Sequence, residues 1–446
     1  MAQLLDQGAL GKPAVVMLEA PKVQDMPQDA APVGAMTLPE ALDVSLHRSD
    51  ELQAEEAAAR SARWVARSTL GRYGPRLDIQ YQRGREHSES SGETASISPI
   101  ELPEHTRTDS SMVVRQPIID IPAIEAWRRD DRLAQAESAK EDQERVNVAF
   151  DVANAYYQLV QYQLLVGLAR EHRERMSALL EYMTRRAAGG GASAADRERV
   201  HAMSLAADRD LVDVRSELAH AQMSFARLTG LLPASLVVTQ DRFATFPETA
   251  DIAVQQMLDT SPALVAMRRQ IEAASFDRAS THAGALPKLD IEAGDYRSTN
   301  ASGIPGTTHD RRVMLVLTLN VFNGGSEFAT SRAQAEQQEQ LQHQYDDAVR
   351  KARERLQTNY LNLASIRAQM TIARDENKAN SQVASAFDAQ LVAANRSLLD
   401  VLDTYQKLYQ NRVSLVKLFV SERQATYQVL KDVGGLANMD FDVLGP

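Results

Sequence analysis

The chain has 446 residues, a net charge of −11 and no cysteine. Binding nucleic acid needs a basic face, so no nucleic-acid partner is expected. Disulfides, thiol catalysis and Cys-based metal sites are excluded, as is a lipid-modified N-terminal cysteine if the natural start lies close to the first residue shown. Aromatic residues make up 5% and charged residues 24%, a composition that suits long helices packing through Ala and Leu better than a thick globular core.

Residues 1–36 form an N-terminal extension. Its strongest apolar run, Ala14 to Leu18, is too short for a signal core and follows no basic stretch. Nowhere are there 18 consecutive apolar residues, so no transmembrane helix is expected. A barrel escapes this criterion because alternating strands dilute hydropathy. A cytosolic protein and an exported one with its leader removed both remain open.

A first repeat covers 37–232. Thr37 and Glu40 have capping-box spacing, and the helix they open is expected to run past Ser49-Asp50-Glu51-Leu52 to about Leu70. Strands are expected over 76–83 and 111–119, with Leu77, Ile79 and Tyr81 alternating against Asp78, Gln80 and Gln82. The segment from Glu86 to Asp109 is polar and is read as a loop. A helix follows over 122–188; with 1.5 Å per residue it is on the order of 100 Å long. Gly189-Gly190-Gly191 follows no strand and precedes no Gly-Lys-Ser/Thr, so it reads as a tight helix-hairpin turn rather than a phosphate loop. The return helix spans 193–229, and 233–250 is a linker.

The same order then returns over 251–435, with a tail at 436–446. Ser261-Pro262 is an N-cap and N1 pair. Strands are expected over 288–296 and 312–322, a long helix over 327–394 and its return over 397–431. Pro75-Arg76-Leu77-Asp78-Ile79 matches Pro287-Lys288-Leu289-Asp290-Ile291 at an offset of about 212. Ser193, Asp196 and Gly230 match Ser397, Asp400 and Gly434 at an offset of about 204. The offset changes only at a loop, which is the signature of an internal duplication. In the second hairpin, Leu356, Tyr360, Leu363, Ile366, Met370 and Ala373 form one coiled-coil-like stripe, and Leu402, Tyr405, Tyr409, Val413, Val416 and Val420 form another on the partner helix.

The fold class is therefore α+β, mainly long α-helices, with four period-2 strands per chain. Four strands cannot close a barrel, whereas three chains supply twelve, which can. A soluble sandwich with a coiled-coil stalk, acting as a scaffold, is the alternative. The nine scattered histidines show no metal-ligand spacing and no nucleophile–base pattern is visible, so no metal, cofactor or enzymatic activity is expected.

Three passages carry a resemblance. They are Leu319-Asn320-Val321-Phe322-Asn323-Gly324-Gly325, Ser397-Leu398-Leu399-Asp400-Val401-Leu402-Asp403, and Leu408-Tyr409 ending in Gly434-Gly435-Leu436. With the duplicated layout they make the chain, from Met36 to Gly435, resemble the TolC family of outer-membrane efflux proteins. The resemblance implies a homotrimer with a 12-stranded barrel in outer-membrane lipid, on a helical tunnel through the periplasm of a Gram-negative bacterium. Residues 1–36, the 233–250 linker and the tail would gather in an equatorial belt.

The resemblance also implies partners: a periplasmic adaptor, and an inner-membrane pump that is either an ABC transporter or proton-driven. They would meet the helical tips at Gly189, Gly190, Gly191, Ser193, Asn395, Ser397 and Leu398. It places constriction rings at Asp400 and Asp403, which in a trimer would attract cations, and a latch between Arg396 and Asp196. Leu391 stands where the family has a tyrosine in that latch. The implied function is a passive export duct for a type I secreted protein, or for small molecules driven by a proton-coupled pump. The missing acylated cysteine favours the former.

Overall fold

The computed structural model describes residues 14–17, 31–89, 104–238, 246–392 and 398–436, with side chains left undescribed at 14–15 and 388–392. The described residues fall into two compact units. One lies within Met1–Glu55, Lys140–Leu264 and Ala348–Pro446, the other within Glu56–Ala139 and Val265–Asp347.

The second unit contains the four alternating segments. Strands β3 (Arg76–His87) and β4 (Glu104–Ile119) form one antiparallel hairpin. Strands β6 (Lys288–Thr299) and β7 (Thr307–Thr318) form the other. β4 pairs with β6, so the order is β3-β4-β6-β7, and among the described residues no strand lies beside the outer edges of β3 and β7. The apolar side chains of one face remain outside any core: Ile79 is 74% exposed, Leu315 69% and Leu317 68%.

Both hairpins reach further than alternation alone suggests. Both ends of the expected loop at 86–109 are strand, since His87 still pairs with Glu104, while 90–103 lie outside the described residues, and β7 begins at Thr307 and not at 312. Backbone pairing continues where both faces turn polar, and there period-2 hydropathy gives no signal. Near the opposite end, the register slips between Pro117 and Ile119, where proline has no N–H for the ladder.

The helix expected from Thr37 to Leu70 is two helices. α1 (Leu38–Arg48) opens on the capping box, with Glu40 N–H donating to Thr37 Oγ1 at 3.4 Å and Thr37 N–H to Glu40 Oε2 at 2.7 Å. It ends at Ser49, whose extended ψ of 114° breaks the spiral before α2 (Asp50–Gly71). The break recurs at Ser261 (ψ 116°), between α5 (Ala250–Thr260) and α6 (Pro262–Ala283). A residue before proline avoids the helical region, so the second break has a visible cause. The first has only Ser49, whose hydroxyl accepts from Leu52 N–H at 3.2 Å as a cap for the next helix.

The long hairpins are α3 (Ile121–Ala188) with α4 (Ala194–Thr229), and α7 (Ser326–Val392) with α8 (Leu398–Asp432). In the first unit they pack around a core whose largest buried side chains include Tyr156, Tyr157, Phe225 and Tyr427. Two stretches expected to be extension and linker supply a small sheet. β5 (Leu231–Val238) lies between β1 (Ala14–Met17), antiparallel, and β2 (Ala31–Thr37), parallel. β1 has only four residues, and β2 and β5 contain Pro32 and Pro233, so they carry little period-2 signal. Tyr156 on α3 directs its hydroxyl at the carbonyls of Val237 (2.9 Å) and Met36 (3.3 Å), which anchors that sheet.

The repeat-equivalent glycines Gly230 and Gly434 both follow return helices in the left-handed conformation, at φ 69° and 73°. After α8, Gly434 N–H bonds Lys431 O (3.0 Å) and Gly435 N–H bonds Leu430 O (2.8 Å), a Schellman ending. A Cβ on Gly434 would lie 2.8 Å from both Pro262 Cδ and Thr260 O, whereas on Gly230 it would meet the mobile guanidinium of Arg48. We expect Gly434→Ala to destabilise by about 2 kcal/mol or more, and Gly230→Ala by only about 1 kcal/mol for its backbone conformation. Denaturant midpoints decide this, and the reverse order would refute the packing difference.

Candidate gate at the helical tips

At the first tip, α3 closes as a Schellman motif. Gly190 has φ 74°, its N–H bonds Ala187 O at 3.0 Å, and Gly191 N–H bonds Arg186 O at 2.8 Å. Arg186 Nε donates to Gly191 O (2.9 Å) and its Nη1 to the Tyr182 hydroxyl (3.2 Å), so the arginine is held inside the turn. Gly189, Gly190 and Gly191 are exposed. Ser193 caps α4: its Oγ accepts from Asp196 N–H at 3.0 Å and lies 2.8 Å from Asp196 Oδ2, to which its hydroxyl donates. Asp196 thus has a local partner, and its place in the first turn suits the positive end of the helix dipole.

At the second tip, Asn395, Arg396 and Ser397 lie outside the described residues, and the Leu391 side chain is likewise not described. The description resumes at Leu398, half-buried. From there α8 is sharply two-sided. Val401, Leu402, Tyr405 and Leu408 are buried among Met176, Met183, Val200 and Ala384 of α3, α4 and α7. With 100° per residue, Asp400, Asp403 and Lys407 fall on the opposite side, and all three are exposed. Asp403 Oδ2 lies 2.8 Å from Lys407 Nζ. That pair is solvated on both sides, so it stabilises little and exchanges readily. Lys407 was not singled out from sequence, although an acid four residues before a lysine on a helix was the available signal.

A second missed group lies roughly four turns back along α3. His172 stacks on Tyr409 at 4.3 Å with ring planes 9° apart. Arg175 covers the Tyr405 ring at 4.8 Å, and Arg412 Nη1 donates to Glu171 Oε1 at 2.7 Å. Asn411 Nδ2 reaches Glu376 at 2.9 Å. These contacts tie α8 to α3 on one side and to α7 on the other. The histidine looked scattered because its partner is 237 positions away in the chain. The described residues hold no cluster of metal-ligating side chains.

The sequence pattern of the outer membrane efflux protein family matches residues 253–435. The fold is that of solved outer-membrane channels. The chain superposes on the channel OprN with a TM-score of 0.77 at 16% identity, covering 89% of this chain and 90% of that one. It superposes on VceC of Vibrio cholerae with a TM-score of 0.76 at 14% identity, covering 89% and 96%. Residues 253–435 thus carry that family's pattern, and the fold is TolC-like. Among its relatives, the alkaline protease secretion protein AprF of Pseudomonas aeruginosa is 23% identical over 400 residues, 86% of this chain and 81% of AprF. The pyoverdine export outer membrane protein OpmQ of Pseudomonas putida is 24% identical over 314 residues, 69% of this chain and 66% of OpmQ. Members of this family are channels, not enzymes.

In this TolC-like fold the α3–α8 stack has a pH consequence. Burial lowers the His172 pKa from its ordinary 6.5, outweighing the opposing pull of Asp210 and Glu171. The folded protein therefore holds His172 neutral, while the unfolded chain takes up a proton below about pH 6.5. Stability from this site is full above that pH and is lost as pH falls towards the depressed folded value. His172→Phe keeps the stack and removes the titration. Thermal unfolding between about pH 7.5 and 5.5 should show a flatter acid limb in the variant; an unchanged limb would assign the acid loss elsewhere.

Proposed function

We propose that this protein is the passive outer-membrane exit duct of a tripartite export system in a Gram-negative bacterium. One observation carries the reading: a four-stranded sheet keeps a greasy face exposed and has two unpaired edges. Three copies joined edge to edge make twelve strands, with the apolar face towards lipid and the charged face towards a lumen. The long helices are then the periplasmic part, and the helical tips meet an adaptor and an inner-membrane pump. The favoured cargo is a type I secreted protein. AprF, a secretion protein, matches over most of its own length. Small-molecule export is the second reading, supported by the OpmQ relatives of two Pseudomonas species.

Asp400 and Asp403 form the constriction in this proposal. They occupy the side of α8 that the subunit's own core leaves free, so threefold symmetry gathers them into rings of carboxylates that favour cations. Arg396 and Asp196 form the latch between neighbouring hairpins. To engage, Asp196 must share its carboxylate between Ser193 and Arg396; it has lone pairs for both. Gly189, Gly190, Gly191, Ser193, Asn395, Ser397 and Leu398 are the tip surface offered to the adaptor.

Two experiments test this. The protein should be extracted from outer membranes only with detergent and should sediment as a trimer; a monomer stable in plain buffer would overturn the duct. In planar bilayers, Asp400→Ala combined with Asp403→Ala should weaken block by divalent cations on the order of tenfold or more, as expected when two carboxylates per subunit are lost. Unchanged block would remove both residues from the mouth.

A further inference from the structure

The exposed apolar face of the four-stranded sheet changes character along its strands. On β3 the apolar series Leu77, Ile79, Tyr81 gives way to Arg83 and Arg85. On β6 the change comes between Ala293 and Asp295, and on β7 between Val313 and Arg311. These boundaries do not share a hydrogen-bonded row. Tyr81 lies in the row of Ser110 and Arg297, whereas Ala293 and Val313 lie in the row of Leu77 and Val114. Across three strand spacings the boundary therefore drops by four residues. With 3.3 Å per residue and about 4.8 Å between strands, that is a slope of roughly 40°, and transmembrane strands tilt by about 35–45°. Once the strands are tilted by that angle, the diagonal boundary becomes level with the membrane plane.

The zone beyond the boundary is therefore a belt at one depth. It lies towards the hairpin ends, while α3 and α7 follow the opposite ends of β4 and β7, so in the barrel reading it meets the outer leaflet. Its sign differs from that of the chain. On this face four arginines, Arg83, Arg85, Arg297 and Arg311, oppose two carboxylates, Glu104 and Asp295, in a protein of net charge −11. Arg311 is bound to Asp295 at 2.7 Å and Arg85 to Glu104 at 3.2 Å. Among the described residues no carboxylate lies within ion-pair distance of Arg83 or Arg297, and both are exposed.

We propose that this belt binds phosphorylated headgroups of outer-leaflet lipid, with Arg83 and Arg297 as the principal contacts. The proposal rests on the barrel reading. Guanidinium forks match phosphate oxygens in pairs. The apolar band directly below, ending at Ile79 and Tyr81, offers a surface for acyl chains, which a free anion would leave unused. Threefold symmetry repeats the arginine pair at three points around the barrel.

The test uses purified trimers of the wild type, of Arg83→Gln/Arg297→Gln, and of Arg312→Gln on the opposite sheet face. Native mass spectrometry follows retention of lipid A carrying both phosphates, of the same lipid with its phosphates removed, and of inorganic phosphate as competitor. The wild type and Arg312→Gln should retain phosphorylated lipid A in preference to the dephosphorylated form. The double variant should lose that retention on the order of tenfold, as two basic groups at an anionic surface imply. Equal retention by the double variant, equal retention of the dephosphorylated lipid, or displacement by inorganic phosphate alone would each overturn the proposal. If trimers form and retention is unmoved, only the lipid belt fails; if the wild type forms no membrane-extracted trimer, the barrel reading fails first.

Discussion

A backbone amide in hydrocarbon has no water to bond, so a strand edge in a membrane must find another strand. That constraint organises this protein. β3 and β7 each present an unpaired edge, and the face between them carries exposed Leu, Ile and Val side chains. Water tolerates the edges but not the apolar face, and lipid tolerates the face but not the edges. Only closure with further copies satisfies both. The subunit is thus an incomplete structure by design of its sheet, while its first unit already has a dense core of its own around Tyr156, Tyr157 and Tyr427.

Duplication explains why so many local devices occur twice. Each repeat opens with a helix broken at a serine in extended conformation, Ser49 or Ser261, and closes with a left-handed glycine, Gly230 or Gly434. In both repeats the glycine packs on the break, against Arg48 in one and against Thr260 and Pro262 in the other. The second copy adds a hydrogen bond from the Thr260 hydroxyl to Val433 O at 2.7 Å. It also adds a buried carboxylate, Asp432, held by Arg355 (2.8 Å) and Asn359 (2.7 Å), with burial raising its pKa against the pull of Arg355. The repeats keep one backbone plan and differ in how the same junction is locked.

What was legible in the sequence follows from this physics. Long helices and strands with one apolar face have strong periods, so Leu77-Ile79-Tyr81 and the Leu402-Tyr405 stripe are visible at once. The small sheet was not, since β1 is short and β2 and β5 each contain a proline. The break at Ser49 was hidden because a serine in a helical pattern costs only a few tenths of a kcal/mol in propensity, too little to mark a boundary without the proline that follows Ser261. The tips divided in the same way. Glycine content announced the turn at Gly189 to Gly191, but the Ser193–Asp196 cap occupies a carboxylate first read only as a latch partner. The His172–Tyr409 stack depends on two helices meeting, which spacing within either one does not encode.

The two sides of α8 give the proposed gate its logic. A core of Val401, Leu402, Tyr405 and Leu408 holds the helix to its own subunit, and the Arg412–Glu171 and Asn411–Glu376 contacts add direction on two sides. The carboxylates opposite, Asp400 and Asp403, play no part in that core. Lys407 already lies beside Asp403, and a solvated pair of this kind contributes at most about 1 kcal/mol. A cation entering a ring at Asp403 must compete with three lysines, while one turn beyond Asp400 the Thr404 hydroxyl bonds the Asp400 carbonyl at 2.7 Å. In the proposed mouth, then, the Asp403–Lys407 pair sets how strongly cation attraction at that ring depends on ionic strength.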